Sequence, residues 1–330
     1  MNTYAAMFKN DLIREESSSG GLFSAVAKRF DVIYGASMTD DCYEVKMIRV
    51  ESDVSPLRGS KYLQAKVGEC FRNVKKDLLD GKMVLFSGTG CQINGLSLYL
   101  GKEYSNLFLL DIVCHGTPSP KLWKEYTKYI EGKFGKIKNI NFRHKWNTKC
   151  DKSIDKNQIY VPMEEDSYMR MFLRNYCLRP ACYECHAKNL KKSDMTIADF
   201  WGVNDVAPEI NDGRGISLVI ARTKKGKALF EEMKPELIWK EVNYQDGVRN
   251  NSAEYVSVER PPQRDRFFED LRTEPFEKME MMYAANIKVP LKRKLISALK
   301  NKIRRIIYLV IKRNPDVNYG ILFTFYENND

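Results

Sequence analysis

The chain has 330 residues and a mass of 38.4 kDa, enough for one large domain or two of ordinary size. Its 43% apolar and 29% charged residues are typical of a soluble globular protein and exclude a disordered or collagenous chain. The formal net charge of +11 lies mainly near the C-terminus, because residues 288–313 hold ten Lys or Arg and no acid, whereas residues 1–287 hold 44 basic and 40 acidic groups.

The N-terminal residues contain Asp11, Glu15 and Glu16 and no uninterrupted apolar stretch, which argues against a secretory signal. The sequence also has no run of about 18 apolar residues, so no membrane-spanning helix is expected. We therefore expect a cytoplasmic protein, whose eight cysteines remain thiols or bind metal rather than forming disulfides.

A segment of small residues at 17–21, SSSGG, precedes a predicted helix and a short strand that ends at Gly35. Such a segment can offer hydroxyls and free backbone N–H groups to an anion, although a serine N-cap on an ordinary helix explains the same pattern. A further strand is predicted at 47–50, followed over 54–80 by a turn led by Pro56 and a helix.

Two strand–turn–helix units follow. Residues 82–96 read as an apolar strand, a glycine turn and a helix, and a second strand over 106–113 leads through another glycine turn to a helix over 121–130. Ligands of α/β proteins bind at the carboxyl ends of such strands. If these strands are neighbours, the thiols of Cys91 and Cys114 face one crevice.

The remaining pattern predicts a loop with a hairpin over 146–166, a helix over 167–175, strands over 193–201 and 216–221, and a helix over 224–233. Alternating strands and helices predict an α/β fold, or a mixed α+β fold, with helices on a central mixed sheet.

Cys182 and Cys185 form a CxxC pair. A thioredoxin-like role is disfavoured, because that motif opens a helix after a strand, whereas Pro180 and a predicted helix precede this pair. Zinc would need two further ligands, for which Cys177 and His186 are near. An iron–sulfur cluster accepts a CxxC pair together with remote cysteines. Spacing alone leaves zinc, an iron–sulfur cluster and incidental thiols open.

His115 follows Cys114 in a glycine turn at a predicted strand end, where a functional and a structural role are both open. The sequence has no HExxH motif, no GxxxxGK[ST] loop and no Ser–His–Asp order. A zincin, a P-loop ATPase and a serine hydrolase are therefore not expected.

Seven segments, taken in order, resemble the coenzyme F420 hydrogenase/dehydrogenase beta subunit family. They are SSSGGLFS (17–24), LRGSKYLQ (57–64), VLFSGTGCQINGL (84–96), DIVCHGTPSP (111–120), LRPACYEC (178–185), SDMTIADFWG (193–202) and GISLV (215–219). The resemblance implies an iron–sulfur flavoprotein oxidoreductase that passes electrons between a 4Fe-4S cluster, FAD and an organic hydride acceptor or donor, such as coenzyme F420.

The same resemblance implies that Cys91, Cys114, Cys182 and Cys185 are the cluster ligands, because these four match the cysteine positions of the family. Cys177 is thereby excluded from the ligand set, since its neighbourhood in the family does not usually hold cysteine.

For the flavin, the matching motifs imply a cofactor site that carries small, basic and aromatic residues. A cation in the RGSKY motif would stabilise a reduced, anionic flavin. Lys61 and His115 are the catalytic candidates, and the cofactor-binding candidates are Ser18, Ser19, Gly20, Gly21, Arg58, Ser60, Lys61, Asp199 and Trp201.

Three positions depart from the family pattern: Gly90 replaces a proline, His144 replaces an acidic residue, and Lys192 stands where arginine is common. These changes put the substrate in doubt. The sequence shows no match to the N-terminal ferredoxin module of many members, so a ferredoxin or another redox protein is expected as electron donor, alongside a small-molecule substrate.

We predict a single oxidoreductase domain over 1–275, with a flavin-side part at 1–80 and a cluster-bearing part at 81–275, followed by a basic amphipathic extension over 276–330. Its helix at 288–313 would contact the inner membrane face, dock on a partner, or fold back on its own domain. Nucleic-acid binding is not expected, because only Tyr308 accompanies the charge.

One alternative function stays open at this point. A zinc-stabilised or cofactor-free accessory or binding protein could use the same fold, serving surface-polysaccharide biosynthesis.

Overall fold

The computed structural model describes residues 1–143, 149–154, 157–163 and 165–285. Two sheets are found in this part of the chain, one of nine strands and one of three. Their strands are β1 Asn2–Phe8, β2 Val32–Met38, β3 Val45–Val50, β4 Ala65–Lys66, β5 Val84–Thr89, β6 Leu107–Ile112, β7 Ile137–Asn141, β8 Lys149–Ile154, β9 Asn157–Pro162, β10 Met195–Asp199, β11 Ser217–Ala221 and β12 Leu237–Val242.

Helices lie on both faces of the large sheet. In the described residues they are α1 Asp11–Glu15, α2 Leu22–Ala27, α3 Cys70–Leu79, α4 Gly90–Leu100, α5 Pro120–Phe134, α6 Ser167–Leu173, α7 His186–Asn189, α8 Val203–Val206, α9 Lys224–Met233, α10 Tyr244–Val248, α11 Arg264–Thr273 and α12 Phe276–Tyr283. The predicted α/β fold with a central mixed sheet is therefore confirmed.

The large sheet has the strand order β12-β1-β11-β10-β6-β5-β2-β3-β4. Strands β10, β6, β5 and β2 are parallel to their neighbours in this series. β11 is antiparallel to both β10 and β1, so β1 runs in the same direction as β10. The carboxyl ends of β1, β10, β6, β5 and β2 consequently meet at one edge of the sheet, which we call the carboxyl edge.

Strand β5 shows why the central strands are apolar runs. Val84 and Phe86 pack in one buried cluster with Ile93 of α4, whereas Leu85 packs in another cluster with Leu22 of α2. Successive side chains of a strand point to opposite faces, and here helices cover both faces. A strand buried on both faces reads as an uninterrupted hydrophobic stretch rather than as an alternating one.

A third cluster, rich in aromatic residues, joins α5, α6, α11 and α12 beside the small sheet β7-β8-β9. Trp123 and Tyr168 are fully buried at its centre. Phe276 and Met279 of α12 are buried in the same cluster, so residues 276–284 pack against this core. The predicted basic helix at 288–313 and His144 lie outside the described residues.

Within the described part of the chain, none of the helices has both the length and the apolar character needed to cross a membrane.

Candidate functional site

Four cysteines line one pocket at the carboxyl edge, which we call the cysteine pocket: Cys91, Cys114, Cys182 and Cys185. Strands β5 and β6 are paired in register up to their last residues, so the turns that follow them are neighbours. Cys91 stands in the first turn of α4, and Cys114 follows β6 by two residues. The expectation that these two thiols face one crevice is therefore met.

Backbone pairing brings the CxxC turn to the same place. Pro118 forms a β-bridge with Leu178, four residues before Cys182. The backbone N–H of Thr117 donates to Cys182 Sγ at 3.3 Å, and the backbone N–H of Cys185 donates to Ser257 Oγ at 2.9 Å. The four cysteines of the pocket thus come from three separate stretches of the chain.

The thiols of this pocket influence one another electrostatically. Burial raises the pKa of Cys114 to about 12, and the neighbouring Cys91 and Cys182 add to the increase. Burial also raises the pKa of Cys182, against a hydrogen bond from Thr117. Thr89 Oγ1 lies 3.2 Å from Cys91 Sγ. A group that binds all four sulfurs as thiolates must therefore supply positive charge of its own.

A second and larger cavity, of about 440 Å³, lies beside the serine segment that follows β1 and the turn that precedes β4. We call it the large pocket. Its volume falls within the range of about 300–1,000 Å³ that is typical of small-molecule and cofactor sites. The residues that line it include Ser18, Arg58, Ser60, Lys61, Asn141 and Arg143.

Hydrogen bonds fix the basic and hydroxyl groups of the large pocket. Ser18 Oγ accepts from the backbone N–H of Ser60 at 2.9 Å. Arg58 Nε donates to Ser24 Oγ at 3.0 Å, and its guanidinium also pairs with Glu16. This arrangement joins the serine segment to the RGSKY turn, so the two predicted flavin motifs form a single wall.

Lys61 is held by the same turn. Its Nζ donates to the carbonyl oxygen of Arg58 at 2.6 Å and to that of Pro56 at 3.1 Å. Burial lowers the pKa of Lys61 to about 7. Because an ammonium group has three N–H donors, one remains for a ligand in the pocket.

Two findings identify the chain beyond its geometry. The family described as the C terminus of the coenzyme F420 hydrogenase/dehydrogenase beta subunit matches residues 81–246, half of the chain. The chain belongs to this family. The matched region contains all four cysteines of the cysteine pocket, together with β5, β6 and β10.

Among solved structures, the chain is similar to one from the F420-reducing [NiFe] hydrogenase complex of Methanosarcina barkeri. The TM-score is 0.50 at 15% sequence identity, over 73% of this chain and 81% of that one. At such an identity the likeness supports the fold. A search of curated proteins found no match.

Membership of this family raises the question of whether the chain has the ligands that an iron–sulfur cluster needs. No three His, Cys, Asp or Glu side chains among the described residues are grouped so that they could hold one metal ion. Zinc draws four ligands to about 2.3 Å from a single centre. A 4Fe-4S cluster instead takes one thiolate at each of its four irons, which occupy alternate corners of a cube, so its ligands are further apart. The four thiols that line the cysteine pocket match the number and type of ligand that a 4Fe-4S cluster takes.

Three predicted flavin residues face the sheet rather than the large pocket. Ser19 Oγ donates to the carbonyl oxygen of Ile216 at 2.8 Å, and the backbone N–H of Gly20 donates to Ser217 Oγ at 3.0 Å. A Cβ on Gly20 would lie 2.6 Å from the carbonyl oxygen of Ala6. Gly21 has a φ of +80°, which favours glycine, and it is the N-cap residue of α2. These residues set the path of the serine segment over β1 and β11.

Asp199 and Trp201 do not line the large pocket, but both contact Arg143, which does. The family motifs did not single out Arg143. The Arg143 guanidinium forms an ion pair with Asp199 and lies 5.3 Å from the centre of the Trp201 ring. Half of the Trp201 surface is exposed. The only sequence signal for Arg143 was its position beside His144, in a segment where family members usually carry Arg-Asp-Lys.

His115 lines the cysteine pocket, not the large pocket. Its Nε2 lies 2.7 Å from Asn175 Oδ1, and its ring packs edge-on against Phe172. Burial lowers the pKa of His115, which favours the neutral ring, whereas the hydrogen bond with Asn175 acts in the opposite direction. Lys188 and Lys191 also line this pocket, and sequence reasoning missed both.

Proposed function

We propose that the chain is an oxidoreductase that uses a 4Fe-4S cluster and FAD to exchange electrons, as a hydride, with a small organic substrate. The observation that carries this proposal is the convergence of four thiols on one pocket, with a cofactor-sized cavity at the same sheet edge. Membership of the F420 hydrogenase/dehydrogenase beta subunit family supports the same chemistry.

In this proposal, Cys91, Cys114, Cys182 and Cys185 ligate the cluster, which supplies one-electron transfer when bound. The Thr117 N–H that reaches Cys182 also offsets negative charge on sulfur, and such hydrogen bonds are one means by which proteins tune cluster potentials.

The large pocket would hold FAD, which supplies the exchange between single electrons and a hydride. Arg58, Ser18 and Ser60 present a guanidinium and two hydroxyls suited to a pyrophosphate. Lys61 contributes its remaining N–H toward the anionic, reduced flavin. With a pKa of about 7, the same group is suited to hold or release a proton at neutral pH.

Arg143 would close the far side of the flavin pocket, oriented by Asp199 and by the Trp201 face. For His115 we propose a positioning role, because its ring lies at the cysteine pocket and ties the Cys114 turn to Asn175. The backbone of Ser19, Gly20 and Gly21 would shape the flavin site without direct contact.

The proposed electron donor is a ferredoxin or another redox protein. Coenzyme F420 is the first substrate to test, because the family description and the similar hydrogenase complex both name it.

Anaerobic purification of the full chain tests the function. We expect a brown protein that contains iron and sulfide in the ratio of a 4Fe-4S cluster, with one FAD per chain. Replacing Cys114 by Ser should remove the iron, because it deletes one of four ligands. The matched control is Cys177→Ser, which changes a buried cysteine outside the ligand set. Stoichiometric zinc, without iron or flavin, would contradict the proposal and favour the accessory protein.

A further inference from the structure

Lys188 directs its ammonium group to the cysteine pocket from α7, three residues after Cys185. Its Nζ donates to the carbonyl oxygen of Cys114 at 3.0 Å and also to the carbonyl oxygen of Ala253. The side chain is half-buried. Two chain segments therefore fix this cation beside the thiols.

The charge of Glu254 acts on Lys188, but the two side chains form no ion pair. Among the described residues, no carboxylate forms an ion pair with Lys188, whereas the neighbouring Lys191 pairs with Glu254 at 3.0 Å. Asp111 also lines the pocket, but burial raises its pKa and its carboxylate accepts a hydrogen bond from Thr196. Of the two lysines that line this pocket, Lys188 is thus the one that forms no ion pair with a carboxylate of the described residues.

Lys188 therefore places its amine beside the pocket that the four thiols line, where two backbone carbonyl oxygens hold it in position.

We propose that Lys188 is a positioning residue that raises the reduction potential of the cluster held in the cysteine pocket. This inference rests on the proposed function. When an external iron–sulfur protein reduces the cluster, one electron passes from the donor to the cluster, and the cluster gains one negative charge. A fixed cation nearby stabilises that more negative state, because net charge is among the factors that set cluster potentials.

The test is a redox titration of the cluster, followed by electron paramagnetic resonance, on the anaerobically purified full chain. Lys188→Met removes the charge and should shift the midpoint potential to more negative values. Lys188→Arg keeps the charge and should restore a midpoint close to that of the unaltered protein. Lys192→Met is the matched control, because it makes the same change in net charge at an exposed residue outside the pocket lining.

Lys188→Gln serves as a second neutral variant, since its amide can still donate to a carbonyl oxygen. It should lower the midpoint as Lys188→Met does, which separates charge from hydrogen bonding. An unchanged midpoint in a neutral variant that retains its cluster would overturn the inference and leave the proposed function intact. A shift equal to that of Lys192→Met would also overturn it. A full chain without iron would refute the proposed function, and this inference with it.

Discussion

Binding of FAD should weaken as the pH rises above 7, because Lys61 loses its proton there. The free protein holds the pKa of Lys61 at about 7 by burial. A pyrophosphate or an anionic flavin in the large pocket favours the charged amine, so binding takes up a proton above this pH. The ligand therefore selects the protonated form, whose share of the free protein falls with increasing pH.

The expected size follows from the protonated fraction. This fraction is about one half at pH 7 and about one eleventh at pH 8, so the affinity should fall about fivefold over this interval if the bound form stays protonated. It should then approach a tenfold fall per pH unit. Below pH 6 the affinity should be constant, since nearly all the free protein already carries the charge.

The assay is a titration of the flavin-free protein with FAD, followed by flavin fluorescence, at several pH values from 6 to 9. Lys61→Arg should bind with little dependence on pH, because a guanidinium keeps its charge throughout. Lys61→Met should bind more weakly at pH 6 and also lose the dependence. An affinity that is constant from pH 6 to 9 in the unaltered chain, or an equal slope in Lys61→Met, would refute the reasoning.

Three further predictions concern packing and charge. Gly20→Ala should lower the free energy of unfolding by about 1–3 kcal/mol in urea denaturation, since its Cβ would meet backbone, whereas Gly132→Ala, whose Cβ has open space, should leave it unchanged or raise it. Arg143→Met should weaken FAD binding about five- to thirtyfold in a fluorescence titration, which corresponds to about 1–2 kcal/mol. Unchanged binding would exclude Arg143 from the FAD site. Asp77 is buried, which acts to raise the pKa of its carboxyl group, but hydrogen bonds, led by the one from Arg49, hold this pKa well below its usual range. The contribution of Asp77 to stability is therefore present above about pH 4 and is lost in acid. Asp77→Asn should accordingly flatten the acid limb of a stability profile, and an unaltered limb would contradict this.

The strand ends that form the site could be predicted from the sequence, because the pattern that marks a strand end lies within a short stretch of the chain. An apolar run followed by a glycine turn and a helix predicted β5 with α4, and the same signal predicted β6. Parallel pairing of two such units brings Cys91 and Cys114 together without further information. The CxxC turn, by contrast, was assigned by family resemblance, since spacing alone left three readings open.

Strand β1 was not predicted, although it is almost entirely buried. Its sequence NTYAAMF has small residues at its centre and no polar–apolar alternation. Alanine has a low strand propensity, and burial on both faces removes the alternation that would indicate a strand. β1 is formed by pairing with β11 and β12, more than 200 residues away in the chain, so no local pattern reports it.

The insertion of β1 between β11 and β12 also explains how the serine segment reaches the site. Because β1 is parallel to β10, its end delivers the serine segment to the edge where β10 delivers Asp199. Ser19 and Gly20 form hydrogen bonds with Ile216 and Ser217 at the start of β11. Because β11 is antiparallel to β10, it begins at this same edge. The glycines of this motif are thus explained by close packing at Gly20 and by the positive φ of Gly21, and direct contact with a cofactor is not needed to account for them.

Charge at the site shows the same dependence on long-range assembly. Lys188 and Lys191 are three residues apart and look alike in the sequence, yet one is paired with a carboxylate and the other is not. The difference arises from residues 253–254, where Ala253 offers Lys188 only a carbonyl oxygen and Glu254 offers Lys191 a buried carboxylate. A net charge counted along the chain cannot separate these two lysines. Lys188 is therefore identified as the unpaired lysine of the cysteine pocket by its contacts in the fold. The basic C-terminal stretch, which dominates the net charge of the sequence, plays no part in this identification.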